Sequence, residues 1–283
     1  MSQPVESVER LEGSAPPEEA PLVSVRDLWK SFPVSTGLFE KSAMAVAVGG
    51  VSFDVPAGKT LALVGESGSG KTTTARLLLR LLTPDRGSMQ FDGVDWLALP
   101  GRELNRLRRQ IGVVFQDPVT SLDPRMTVEQ IVAEPLEIHR IGNARERKER
   151  VRELLNQVGL PSSALAKTPR EFSGGQRQRI GIARALATEP KFIVLDEPVS
   201  ALDVSVRAQI LNLLLDLQQS TPSHPAYLFI GHDLAVVRRI ADRTAVMHRG
   251  QIVEEGPTEA LFQAPRHPYT SLLLSAQPRW APR

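Results

Sequence analysis

Cysteine is missing from all 283 residues, which excludes disulfides, thiolate zinc sites and Cys-ligated iron–sulfur clusters and fits a reducing compartment. Long apolar runs are missing too. No stretch approaches the roughly 18 consecutive apolar residues of a membrane span, and the amino terminus lacks a basic patch followed by an apolar run. Neither a membrane span nor a signal peptide is expected, so the chain is expected to stay in the cytosol. An excess of one charge is also lacking. The formal net charge is +2, with Lys and Arg interleaved among Asp and Glu, so no nucleic-acid footprint stands out and no nucleic-acid partner is expected.

What remains is an ordinary globular composition, 41% hydrophobic and 23% charged, long enough for one large α/β domain with a small appendage. Met1 to about Pro21 mixes Glu, Pro, Ser and Ala with few large apolar side chains and reads as a loose tail. Alternation in Leu22 to Leu28 and in Val51 to Val55 predicts half-buried antiparallel strands. Thr60 to Val64 is a short apolar run ending at Gly65, and Thr72 to Leu82 is helix-like with a Leu-rich face. Two more apolar runs end in functional groups: Phe192 to Leu195 in two carboxylates, and Tyr227 to Ile230 in Gly231-His232-Asp233. In open α/β sheets ligands bind at that edge. Between these strands, Ser121 to about Arg170 is polar and helix-rich. Val151, Leu154, Leu155 and Val158 recur at helical spacing, with Arg147, Lys148, Glu149 and Arg152 on a face read as solvated.

Gly65-Glu66-Ser67-Gly68-Ser69-Gly70-Lys71-Thr72 matches G-x-x-x-x-G-K-[ST] between a strand and a helix. Its glycines let backbone N–H groups turn toward phosphate oxygens, Lys71 supplies a point charge, and Thr72, followed by Thr73, offers a hydroxyl to Mg²⁺. This pattern marks a nucleotide site, yet kinases, GTPases, helicases and transporter motors share it. Asp196 can hold the Mg²⁺ shell and Glu197 can orient or deprotonate water; an Asp-Glu-Pro run can equally be a helix cap.

Ser173-Gly174-Gly175-Gln176, after the phosphate loop and before the Asp196 strand, resembles the signature motif of ABC ATPases. Physically it is a second anion-binding helix N-terminus. The resemblance runs from about Leu22 to the C-terminus and implies the rest of the site. Gln116, in Val113-Val114-Phe115-Gln116-Asp117, is similar to the Q-loop glutamine, which touches Mg²⁺ and the attacking water. Ser200-Ala201-Leu202-Asp203 resembles the D-loop, whose Asp203 reaches an opposing site. His232 is similar to the switch histidine that contacts the γ-phosphate. Phe32 sits where the family stacks an aromatic ring on adenine, although it can equally be core. Phe172 stands where the usual residue is Leu.

The family implies an α/β fold: a P-loop NTPase (RecA-like) core, an N-terminal antiparallel β subdomain and an α-helical signature subdomain. ATP and Mg²⁺ are the expected cofactors. The expected domain limits are a tail over 1–21, an ATPase domain over 22–262 with its helical part at about 118–186, and an extension over 263–283. Gln116-Asp117-Pro118 with Ser121 to Val128, and the tail Arg266-His267-Pro268-Tyr269-Thr270 with Leu272 to Leu274, look like the ATPases of oligopeptide and dipeptide importers. Pro33 to Val48, with Gly37, Leu38 and Phe39, is similar to the second of their two paired ATPases. The implied partners are a homologous ATPase subunit in a heterodimer, transmembrane permease subunits and, indirectly, an extracytoplasmic solute-binding protein. The implied place is the cytoplasmic side of the inner membrane. A soluble ABC ATPase of phosphonate-cleaving machinery is the alternative.

Overall fold

The two alternating segments near the start of the chain pair with each other, and both strands are longer than their alternation suggests. In the computed structural model, which describes residues 20–34, 43–117 and 120–276, β1 (Val23–Val34) runs antiparallel to β2 (Ala43–Val55). β4 (Arg86–Phe91) and β5 (Val94–Asp95) complete a sheet ordered β2-β1-β4-β5. Val23, Val25 and Leu28 are fully buried while Arg26 and Asp27 face out; a register shift between Val25 and Leu28 restores the inward phase. Of the tail expected over 1–21, all but the last two residues lie outside the described residues, as do Gly37, Leu38, Phe39 and Pro118.

The apolar runs build the second sheet. β3 (Thr60–Val64), β6 (Ile111–Val114), β7 (Phe192–Asp196), β8 (Ala226–Gly231), β9 (Arg243–His248) and β10 (Gln251–Pro257) are ordered β10-β9-β3-β8-β7-β6. Every pairing is parallel except that of β9 with β10. Such strands are covered on both faces, so they read as continuous apolar runs. Ala62, Val64, Ile193, Leu195 and Phe229 join one core cluster, and Leu61, Leu63, Phe192, Val194 and Leu228 join another beneath the antiparallel sheet. The carboxyl ends of β3, β6, β7 and β8 therefore share one edge.

Helix α1 (Lys71–Leu78) follows β3 and is shorter than the 72–82 segment predicted from its Leu-rich face. Arg80 turns back at φ 52 and Leu81 is exposed; Pro84 beyond them cannot continue a helix. α2 (Gly101–Arg108) precedes β6. Between β6 and β7 lie α3 (Val128–Ile138), α4 (Ala144–Gln157) and α5 (Gly174–Leu186). α6 (Val204–Ser220), α7 (Leu234–Ile240), α8 (Thr258–Gln263) and α9 (Pro268–Ser275) follow in order. Among the described residues no helix is long and apolar enough to cross a membrane.

Helix α4 shows why the inserted helices hold together. Asn143 caps it, accepting from Arg145 N–H and Glu146 N–H, while the Glu146 carboxylate accepts from Asn143 N–H. Val151, Leu154 and Leu155 are fully buried in the cluster shared with α3 and α5. Lys148 pairs with Glu129 of α3 and Arg145 with Glu149 on the solvated face. Arg147 departs from that face: it is half-buried and donates from Nε to the Ile141 carbonyl at 2.9 Å. Leu154→Ala is therefore expected to destabilise the fold by about 2–5 kcal/mol, whereas exposed Arg152→Ala stays within about 0.5 kcal/mol; urea unfolding of both variants checks the difference.

Candidate functional site

The phosphate loop leaves β3 at Gly65 and enters α1 at Lys71. Its two ends are squeezed by neighbouring backbone. A Cβ on Gly65 (φ +152) would lie 2.1 Å from the Met247 carbonyl oxygen, and one on Gly70 (φ +108) would lie 2.3 Å from that of Ala47. No other residue fits either place. Lys71 is buried and donates to Gly65 O at 2.8 Å, Glu66 O at 2.7 Å and Ser69 Oγ at 3.3 Å. Burial pulls its ammonium below the ordinary 10.5, against the opposing charges of Glu197, Asp196 and Glu66. Ser67 and Gly68 are exposed at the loop tip, and Thr72 and Thr73 are half-buried on the first turn of α1.

Asp196 ends β7 and is buried, with Oδ1 unpartnered. Burial pushes its carboxyl above 3.8 and the Glu197 charge adds to this, while Arg76, Lys71 and a hydrogen bond from Thr72 act the other way. Glu197 has the left-handed φ 46, a conformation that costs a non-glycine residue energy. Its N–H donates to Ile230 O at 2.9 Å, and its own carbonyl accepts from Ser200 N–H and Oγ–H. This turn aims the carboxylate at two other strand ends. Gln116 Nε2, just past β6, donates to Glu197 Oε2 at 3.0 Å, and His232 Nδ1, just past β8, lies 3.4 Å from the same oxygen. The Glu197 side chain is 16% exposed against 60% for His232, so the carboxylate is recessed and the imidazole faces solvent.

The second glycine motif lies elsewhere. Ser173 caps α5: its Oγ accepts from Gln176 N–H at 3.3 Å, and its own N–H donates to Gln176 Oε1 at 3.0 Å. Ser173, Gly174, Gln176 and Asp203 are exposed, and Gly175 is buried. α5 packs on α3, α4, α6 and β6, whereas α1 packs on β2 and β7. Phe172 is buried in the core cluster that includes α3, α4 and α5. Phe32 is half-buried on β1, opposite Ala45 and two residues along β2 from the Ala47 that abuts Gly70.

One residue of the arrangement escaped sequence reasoning. Arg207 of α6 donates to Asp233 Oδ2 at 2.8 Å and to Leu202 O at 3.2 Å, tying the residue after His232 to the residue before Asp203. Its place four residues beyond Asp203 was the available signal.

The chain has counterparts among known proteins. The ABC transporter family matches residues 48–200, and the C-terminal region of oligopeptide/dipeptide transporters matches residues 253–283. The chain belongs to the ABC transporter family. The glutathione import ATP-binding protein GsiA of Salmonella paratyphi A is 54% identical over 262 residues, 92% of this chain and 42% of that protein. The chain thus spans about two fifths of the length of that relative. A Brucella ovis protein provisionally named a peptide import ATP-binding protein is 52% identical over 260 residues, 92% of this chain and 80% of that one. Among solved structures, the dimeric post-hydrolysis state of the cassette MJ0796 bound to ADP and Pi superposes with a TM-score of 0.73 at 29% identity, covering 83% of this chain and 98% of that one. CbiO1 of Clostridium perfringens, part of the ABC transporter complex cbiONQ, gives 0.73 at 27% identity, covering 87% and 92%. The cassette fold, with its P-loop core, antiparallel β sheet and helical insert, is the one expected.

The stretch after Gln116 carries a local charge lock. Arg125 clamps Asp123 through Nη2 at 2.9 Å, Nε at 3.1 Å and its backbone N–H at 2.9 Å. The guanidinium, then the N–H, hold the carboxyl down at about 2 against the ordinary 3.8. The lock is thus intact above pH 3.8 and is lost as pH falls through about 2. An NMR titration is expected to find Asp123 at the low value and to find Arg125→Ala returning it toward 3.8.

Proposed function

We propose that this chain binds and hydrolyses ATP to power an importer of di- or oligopeptides, as one half of an ATP-sandwich dimer beneath a membrane permease. The observation that carries the hydrolytic reading is the convergence of Gln116 and His232 on one oxygen of Glu197. Three parallel strands deliver those groups to one point beside the phosphate loop, a geometry suited to water attack on a phosphoryl group.

In this reading backbone N–H groups of the loop between Ser67 and Thr73 cradle the phosphates, and Lys71, already desolvated, gives its charge to the β/γ end. Glu197 orients a water in line with the γ-phosphorus and takes its proton as the bond to the ADP oxygen breaks. Gln116 positions Glu197 and the water, and His232 holds the γ-phosphate. Phe32 supports the adenine from the β1–β2 side. The donors suit Mg²⁺: the Thr72 hydroxyl, the unpartnered buried Oδ1 of Asp196 and the Gln116 amide oxygen are hard ligands. No cluster of three or more His, Cys, Asp or Glu among the described residues could hold a metal without further ligands, so the phosphates would complete the shell. Mg²⁺ would offset charge developing on the transferred group.

Ser173, Gly174, Gly175, Gln176 and Asp203 would serve the opposing nucleotide, since Ser173, Gly174 and Gln176 at the cap of α5, and Asp203, are exposed. The homologous ATPase, in a heterodimer, would return the favour. The stretch after Gln116 would meet the permease, and Arg184 of α5 links the two by donating to Ser121 O at 2.7 Å. Closing of the dimer would thereby move the permease contact. The match to an oligopeptide/dipeptide transporter region over 253–283 and the peptide and glutathione import names of the relatives support the cargo class. A solute-binding receptor and the cytoplasmic face of the inner membrane follow from that assignment. The same match favours transport over a soluble phosphonate-cleaving complex.

Glu197→Gln is expected to keep ATP affinity within about twofold while turnover falls by roughly 10²-fold or more, the scale of a lost general base. Equilibrium nucleotide binding and phosphate release on the same preparation check it, and normal turnover would remove Glu197 from the mechanism.

A further inference from the structure

A side chain of the C-terminal segment reaches the phosphate loop. Tyr269, at the start of α9, accepts through its hydroxyl from the N–H of Glu66 at 3.2 Å across 203 residues of sequence. The carbonyl of the same Glu66 accepts from the Lys71 ammonium at 2.7 Å and from Ser69 N–H at 3.2 Å. A single loop residue is thus held from outside by the extension and from inside by the phosphate-binding lysine. We infer that Tyr269 is a positioning residue for the phosphate loop and that the segment from Arg266 to Ser275 braces the nucleotide site, an inference that rests on the nucleotide reading above.

The brace is built to be stiff. The buried Glu254 carboxylate of β10 accepts from Arg266 N–H at 3.0 Å and His267 N–H at 3.1 Å. His267 Nδ1 in turn accepts from Tyr269 N–H at 3.1 Å, fixing the first turn of α9. The Tyr269 ring lies on His248 with centroids 3.9 Å apart, and His248 follows the Met247 whose carbonyl confines Gly65. Ring packing alone would be served by phenylalanine; the hydroxyl is the part that reaches the loop. Without it the Glu66 N–H turns to water, and the loop loses the contact that keeps Glu66 O facing Lys71. Phosphate recognition should weaken while the fold stays.

The test compares the wild-type chain with Tyr269→Phe, each with its partner cassette, using MgATP and MgADP as the probes. The variant is expected to raise the KM for ATP and the Kd for ADP roughly two- to tenfold, the scale of one hydrogen bond, with kcat at saturating ATP and the unfolding midpoint essentially unchanged. Amide exchange in the peptide spanning 65–71 is expected to speed up in the same variant. Unchanged KM, Kd and exchange overturn the inference, as does a lowered unfolding midpoint with unchanged nucleotide affinity, which makes Tyr269 a packing residue. A wild type that binds no nucleotide sinks the functional reading itself, and this inference with it, and shows in the control arm alone.

Discussion

Two backbone carbonyls, those of Met247 and Ala47, press on the ends of the phosphate loop at distances that only glycine tolerates. This contact sets the curvature of the loop, and the curvature sets where Lys71 emerges at the head of α1. It also joins three parts of the fold: Met247 belongs to β9 of the parallel sheet, Ala47 to β2 of the antiparallel sheet, and the loop itself follows β3. Two sheets that differ in strand order and polarity are thereby registered against one short segment.

The remaining groups depend on that registration. Parallel strands bring β6, β7 and β8 to the same edge, but only the left-handed turn at Glu197 redirects its carboxylate toward Gln116 and His232. A strained residue is sustained because its N–H and C=O are both bonded, to Ile230 and Ser200. Burial then tunes the charges: Lys71 is lowered and Asp196 raised, each partly offset by the other. An unpartnered buried oxygen beside a desolvated ammonium is costly for stability and useful for binding an anion with its cation.

Much of this was legible in the sequence because the motifs encode local geometry. G-x-x-x-x-G-K-[ST] names the residues whose backbone must bend, and an apolar run ending in Asp196-Glu197 names a strand that delivers carboxylates. The pairing of Gln116 with Glu197 was not legible, because it joins strand ends 81 residues apart and depends on a φ that no side chain announces. The extent of α1 was overread because Leu79 to Leu82 continue an apolar pattern while Arg80 reverses the chain. β1 was underread because Trp29 and Lys30 blur its alternation beyond the bulge. Arg207 and Tyr269 act across distant segments, Tyr269 over 203 residues, so their roles needed coordinates.

Within one chain, the capped N-terminus of α5 and the phosphate loop stand on different packing units. The account therefore requires a second cassette to complete each site. Specific ATPase activity measured against chain concentration, alongside sedimentation at the same concentrations, tests this directly. The account predicts activity per chain that rises with concentration, or with added partner cassette, and tracks the ATP-bound dimer. A monomer that turns over ATP at a constant rate per chain across the range would contradict it.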